Sequence, residues 1–139
     1  TGAINNVGEG IRVNVPESYR AGIELQIAQR LGEKFSLSAN ASFSQNKIAD
    51  FTETIISYDG ETPNEVNDYQ DTDIAMSPNV IIGGALSLTP AKGLEIALLP
   101  KYVGKQYLDN TSDDTRSLDA FFVNDLRINY NFKPNRRNQ

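Results

Sequence analysis

The 139-residue chain has no cysteine, histidine or tryptophan, with 39% apolar and 22% charged residues. Lacking thiol and imidazole, it can form no disulfide, cysteine nucleophile, Ser-His-Asp triad or zinc site with nitrogen or sulfur ligands, so any metal would be a hard cation held by oxygens. A net charge of −5, with Arg136 and Arg137 as the only adjacent basic pair, argues against a nucleic-acid partner, which demands clustered positive charge.

No apolar run reaches the length of a transmembrane helix, and the first ten residues lack the charged and apolar regions of a signal peptide. The chain is therefore expected either to be soluble or to meet a membrane as strands. Period-two alternation, which sends successive side chains to opposite faces of a sheet, dominates the sequence.

The first run places Tyr19, Ala21, Ile23, Leu25, Ile27, Gln29 and Leu31 on one face, against Arg20, Gly22, Glu24, Gln26, Ala28 and Arg30 on the other. After a short turn at Gly32-Glu33-Lys34, a second run sets Phe35, Leu37, Ala39, Ala41 and Phe43 against alternating Ser and Asn. The third follows Pro78, with Val80, Ile82, Gly84, Leu86 and Leu88 on its apolar face and a softer alternation opposite. A turn at 89 to 93 leads to the fourth run, Leu94, Ile96, Leu98, Pro100, Tyr102 and Gly104, where Pro100 lacks an N–H and predicts a bulge or local break. The fifth sets Phe122, Leu126, Ile128, Tyr130 and Phe132 opposite Asp125, Arg127, Asn129, Asn131 and Lys133.

The expected fold is all-β: five antiparallel strands of roughly 12 to 15 residues, against an average of about 5 to 6 in globular proteins. Connections near 32 to 34, 89 to 93 and 133 to 138 are short, whereas 49 to 77 and 108 to 118 are expected to be long acidic loops. Short turns at one end and long loops at the other match an up-and-down transmembrane β-barrel. Five such strands cannot close a barrel, for which about eight is the minimum, so residues 1–139 are expected to be a partial barrel domain.

An alternating strand can face a protein core as readily as lipid. Across about 30 positions on the five apolar faces there is no Asp, Glu, Lys or Arg, where a 22% charged fraction would place about six or seven. Small residues (Ala21, Ala39, Ala41, Gly84, Gly104) are tolerated where acyl chains fill the space. Tyr19, Phe43, Tyr107 and Phe122 lie toward the long loops and Phe35, Tyr130 and Phe132 toward the turns, resembling two aromatic girdles. The alternative is a soluble all-β binding module that buries Ile23, Leu37, Leu86 and Ile128 in one core.

The stretch from Tyr102 to Thr111, followed by Leu118 to Tyr130, resembles late barrel strands of TonB-dependent receptors, particularly those of the Bacteroidetes type. So do Gly22-Ile23-Glu24-Leu25 and the run from Leu37 to Ser44. The resemblance implies a place in the C-terminal part of a plugged barrel of about 22 strands in the bacterial outer membrane. It also implies active import of a scarce nutrient such as an iron-siderophore complex, cobalamin, haem or a glycan. The implied partners are the lipid bilayer, the parent chain's plug domain and, through the parent, the TonB energy-coupling system, with the imported ligand unknown. The plug, of roughly 120 to 150 residues by typical domain size, and the terminal strands are expected to lie outside this chain. The isolated segment is expected to self-associate through its apolar faces and free edges.

No enzyme is expected, and no catalytic, cofactor-binding, metal or ligand-binding residue is assigned. Asp59, Glu61, Glu65, Asp68, Asp71 and Asp73 could hold Ca²⁺ or a cationic ligand, but their spacing fits no EF-hand loop and a solvated loop is the preferred reading. The same holds for Asp109, Asn110, Asp113 and Asp114. The acceptor patterns Asn40-Ala41-Ser42 and Asn110-Thr111-Ser112 are read as chance. Arg20, Glu24, Glu95, Lys101, Asp125 and Arg127 are expected on the wet face, pairing with one another or touching the plug. A glycosidase pair of Glu24 and Glu95 has no supporting motif.

Overall fold

In the computed structural model, residues 17–55, 57 and 63–132 are described. They form strands β1 (Ser18–Leu31), β2 (Phe35–Ile55), β3 (Glu65–Asp73), β4 (Val80–Ala91), β5 (Leu94–Val103), β6 (Gln106–Tyr107), β7 (Ser117–Leu118) and β8 (Phe121–Tyr130). Among the described residues a single 3-10 turn, Asp114–Arg116, precedes β7. The main sheet runs β1-β2-β4-β5-β8 with β3 also paired to β2, while β6 and β7 form a separate pair. The fold is all-β, and every described register is antiparallel.

The chain divides into two compact units. One comprises Ile23–Phe43, Val80–Gly104 and Ala120–Gln139. Here the registers join apolar face to apolar face: Phe35↔Leu88, Leu37↔Leu86, Ala41↔Ile82 and Phe43↔Val80 between β2 and β4, and Ile96↔Ile128, Leu98↔Leu126 and Tyr102↔Phe122 between β5 and β8. Because the side-chain period is two, slipping any strand by one residue would move its whole apolar set to the opposite side.

Those apolar side chains are not folded against each other. Ile23 is 65% exposed, Leu37 38%, Leu86 42% and Ile128 61%, whereas buried apolar residues in this unit, among those described, are Ala97 and Val103. The soluble-core alternative required these four to be buried together, so the structure speaks against it.

Two glycines set the tight turns. Gly32 (φ +74°) and Gly93 (φ +84°) occupy the left-handed region, where a β-carbon is disfavoured. At Gly93 the chain also comes close to Asn131, whose N–H donates to the Gly93 carbonyl at 2.7 Å.

Of the bulge or local break expected at Pro100, the structure has the local break. The pairing of Pro100 with Asn124 on β8 holds register, and on the β4 side the ladder lapses between Gly83↔Lys101 and Leu86↔Leu98 without shifting. The missing N–H weakens the ladder locally, and Gly84 across from it has no side chain to be displaced. The register shift lies instead beside the turn, between Leu88 and Ala91.

The second unit holds Thr1–Gly22, Ser44–Asn79 and Lys105–Asp119. The long loop expected over 49 to 77 is mostly a hairpin. β2 extends to Ile55, giving 21 residues, and pairs with β3 from Lys47↔Asp73 to Ile55↔Glu65. β-Branched and aromatic residues such as Thr52, Thr54, Val66 and Tyr69 suit extended backbone. Cross-strand neighbours add to the ladder: Thr52 Oγ1 donates to Asp68 Oδ1 at 2.7 Å, and the Phe51 and Tyr69 ring centroids lie 6.3 Å apart. Ile48 is buried in this unit.

Candidate functional site

Among the described residues the densest polar constellation is built on Arg116, in the connection between β5 and β8. Its Nη1 donates to Glu53 Oε1 at 2.7 Å and to Asp109 Oδ2 at 2.9 Å, its Nη2 reaches Glu53 Oε2 at 3.4 Å, and its Nε lies 3.5 Å from Asp113 Oδ2. One guanidinium thus ties three carboxylates from β2 and the 105–119 connection, using the planar fork that lysine lacks. Tyr69 on β3 donates its hydroxyl to Glu53 Oε2 at 3.1 Å.

The connection is further bound to the backbone following β3. Ser112 Oγ accepts from the Asp73 N–H at 2.7 Å, Asn110 Oδ1 from the Ala75 N–H at 2.8 Å, and the Tyr107 carbonyl from the Met76 N–H at 2.9 Å. Asp113 caps the 3-10 turn through the Thr115 N–H and hydroxyl, and Asp109 accepts from both polar groups of Thr111. Lys105 pairs with Asp114 while lying 4.9 Å from the centre of the Tyr107 ring.

These contacts move the ionisable groups in consistent directions. The Arg116 hydrogen bond holds Glu53 below its ordinary carboxylate value, Thr115 does the same for Asp113, and Lys105 for Asp114. Burial, followed by the Glu53 contact, pushes the Tyr69 hydroxyl up. Asp114 raises Lys105, and the Glu53 hydrogen bond raises Arg116.

A depressed carboxylate contributes stability above its unfolded pKa and loses it as pH falls through the folded value. A raised lysine contributes below its unfolded pKa and loses it as pH rises through the folded one. Hydrogen-exchange protection in 105–119, taken relative to the intrinsic rate at each pH, should accordingly be flat from about pH 5 to 9 and fall below about pH 4, where carboxylates protonate. Arg116→Met should make this segment severalfold more sensitive to limited proteolysis at neutral pH, since three carboxylates lose their shared cation. Equal cleavage of the two proteins would show that Arg116 does not hold the connection in place.

The acidic positions singled out from the sequence fall into separate environments. Asp59 and Glu61 lie outside the described residues. Asp68 is engaged by Thr52, Asp71 and Asp73 flank Lys47 at 3.9 and 3.4 Å, and Glu65 accepts from Asn67. Among the described residues no group of three such side chains is arranged to hold a metal ion. Asn110, Thr111 and Ser112 are occupied by internal hydrogen bonds, and Asn40 lies inside β2. Neither Glu53 nor Arg116 stood out in the sequence. The one available signal was a lone arginine after an acidic stretch, and its partner Glu53 lies 63 positions away.

On the wet face, Arg127 and Glu95 pair at 3.5 Å, and Arg20 approaches Asn46 Oδ1 at 3.5 Å. Glu24 on β1 and Glu95 on β5 are separated by β2 and β4. Three strand spacings amount to about 14 Å, beyond the roughly 5 to 9.5 Å between glycosidase carboxyl groups. The same face carries a groove of about 400 Å³, where Asn40, Lys101 and Asp125 accompany the apolar Ile81, Leu99 and Val123. Tyr107, expected at an aromatic girdle, instead belongs to the β6-β7 pair and hydrogen-bonds Asp114.

No curated protein and no solved structure gives a match to this sequence. A family model described as TonB dependent receptor-like, beta-barrel, matches residues 1–138. With nearly every residue matched and the strands paired in antiparallel succession, the chain belongs to the TonB-dependent receptor β-barrel family, whose members are outer-membrane transporters.

Proposed function

We propose that residues 1–139 form part of the wall of a bacterial outer-membrane receptor that actively imports a scarce nutrient such as an iron-siderophore complex. In this reading a larger barrel is completed by strands outside the chain, a plug domain of the parent fills its lumen, and the TonB system supplies energy through the parent. The observation that carries the reading is the uncharged, solvent-exposed apolar stripe of β1, β2, β4, β5 and β8. Its upper aromatic pair Tyr102↔Phe122 and lower pair Leu94↔Tyr130 are eight residues apart along β8. That is about 27 Å of strand, or roughly 20 Å of height at a 40° tilt, against an apolar band of about 25 Å in outer-membrane barrels.

The test is fractionation combined with uptake. The protein should be recovered with outer membranes, and deleting its gene should abolish energy-dependent uptake of one member of a panel of ferric siderophores, haem, cobalamin and oligosaccharides. Purified alone, the 139-residue chain should need detergent or self-associate, because its stripe and sheet edges are uncovered. Recovery as a monodisperse monomer without detergent would defeat the proposal.

A further inference from the structure

We infer that the apolar stripe contains a binding trough for a single lipid acyl chain, with Asn124 receiving the oxygen of that chain's ester linkage. The inference rests on the lipid-facing reading proposed above and adds a defined site to it.

The trough begins with a row of very small groups. Ala39 on β2 pairs with Gly84 on β4, and the ring of Pro100 on β5 lies beside Gly84, its Cγ 3.8 Å from where a Gly84 β-carbon would be. That β-carbon would also come within 3.0 Å of the Ser38 carbonyl oxygen, so the row cannot easily be filled at Gly84. The rows on either side are tall, with Leu37 and Leu86 toward the short turns and Ile82, Tyr102 and Phe122 toward the long connections. Between them lies an apolar groove of about 220 Å³. At about 30 Å³ for a water-sized group this holds roughly seven such groups, a stretch of one acyl chain and far less than a helix of about 10 Å diameter requires.

Asn124 identifies the polar end of the occupant. It pairs with Pro100 in the same row, is exposed, and among the described residues no hydrogen bond reaches its side-chain amide. A bare amide facing hydrocarbon is unfavourable unless a partner is supplied from the lipid side. The row sits two cross-strand pairs inside Tyr102↔Phe122, near the depth where acyl chains join their ester carbonyls. Asn124 lies outside the groove's lining, across from Pro100 at its β8 border, so an acyl chain lying in the groove would reach the amide by running past Pro100 toward β8.

The experiment uses the complete receptor of the reading above, with this chain as part of its wall, in phosphatidylcholine vesicles containing a phosphatidylcholine with a diazirine on one acyl chain, with adducts mapped by mass spectrometry after photolysis. Adduct yield at Ile82–Leu86 and Phe122–Leu126 should exceed that at Ile23–Ile27 by on the order of fivefold, the gain expected from roughly ten added carbon contacts. Ala39→Leu should remove the excess and leave Ile23–Ile27 unchanged, and Asn124→Leu should reduce it severalfold. Uniform labelling, an unaffected Ala39→Leu protein, or cross-linked chain dimers joined through the trough would overturn the assignment. Absence of adducts at Ile23–Ile27 as well would overturn the lipid-facing reading and the trough with it, so the two failures can be told apart.

Discussion

Arginine in place of Leu126 should destabilise the membrane-inserted sheet by about 2 to 4 kcal/mol, whereas arginine in place of Asn129 should change it by less than about 1 kcal/mol. Leu126 pairs with Leu98 in the middle of the stripe, so its replacement would place a guanidinium among acyl chains. Asn129 lies on the opposite face directly across from Glu95, where a cation meets water and a carboxylate. Reversible urea unfolding of the complete receptor from vesicles, compared at matched lipid composition, measures both costs. Leu126 is 61% exposed, so in a water-facing sheet the first substitution would be almost free. Equal and small effects at the two positions would therefore show that the stripe does not contact hydrocarbon.

The two turn glycines form a second matched pair. Gly32→Ala should cost about 1 to 2 kcal/mol, the penalty for an L-residue held in the left-handed region, because open space surrounds the added methyl. Gly93→Ala bears the same backbone penalty, and its new β-carbon would stand 2.7 Å from the Asn131 carbonyl oxygen. The end of β8 must then retreat from the turn. The total cost should exceed about 3 kcal/mol, within the range for strained backbone combined with overpacking. Hydrogen exchange at the Asn131 amide should accelerate in Gly93→Ala and stay unchanged in Gly32→Ala. Identical unfolding midpoints for the two variants would mean that the Gly93–Asn131 approach is not important to the turn.

The membrane-facing half of this fold is legible in the sequence because one requirement acts at every second residue. Lipid excludes charge from Ile23, Leu37, Leu86, Leu98 and Ile128 alike, and strand registers can only join such faces in phase. Asn124 is the polar but uncharged residue on the apolar face of β8, and its significance emerges only when Pro100, Gly84 and Ala39 are seen in the same row. The β2-β3 hairpin was missed for the opposite reason. In Glu65-Val66-Asn67-Asp68-Tyr69-Gln70-Asp71-Thr72-Asp73 neither face is required to be apolar, so hydrophobic periodicity is absent although the backbone ladder is present. The Arg116 hub is harder still to read. Its geometry depends on Glu53 and Asp109 arriving from distant points in the chain, and individual charges carry no periodic mark.

The adjacent glycines 83 and 84 have a consequence for the barrier such a wall must maintain. At these two residues neither side of the sheet carries a side chain of its own, and the Asn40 amide occupies the space a β-carbon on Gly83 would take. For a receptor wall, oil on one side and aqueous interior on the other are separated at that spot by little more than a peptide plane. Asn40→Ala would strip that spot of the one side chain leaning over Gly83, leaving bare backbone on the polar side of the wall.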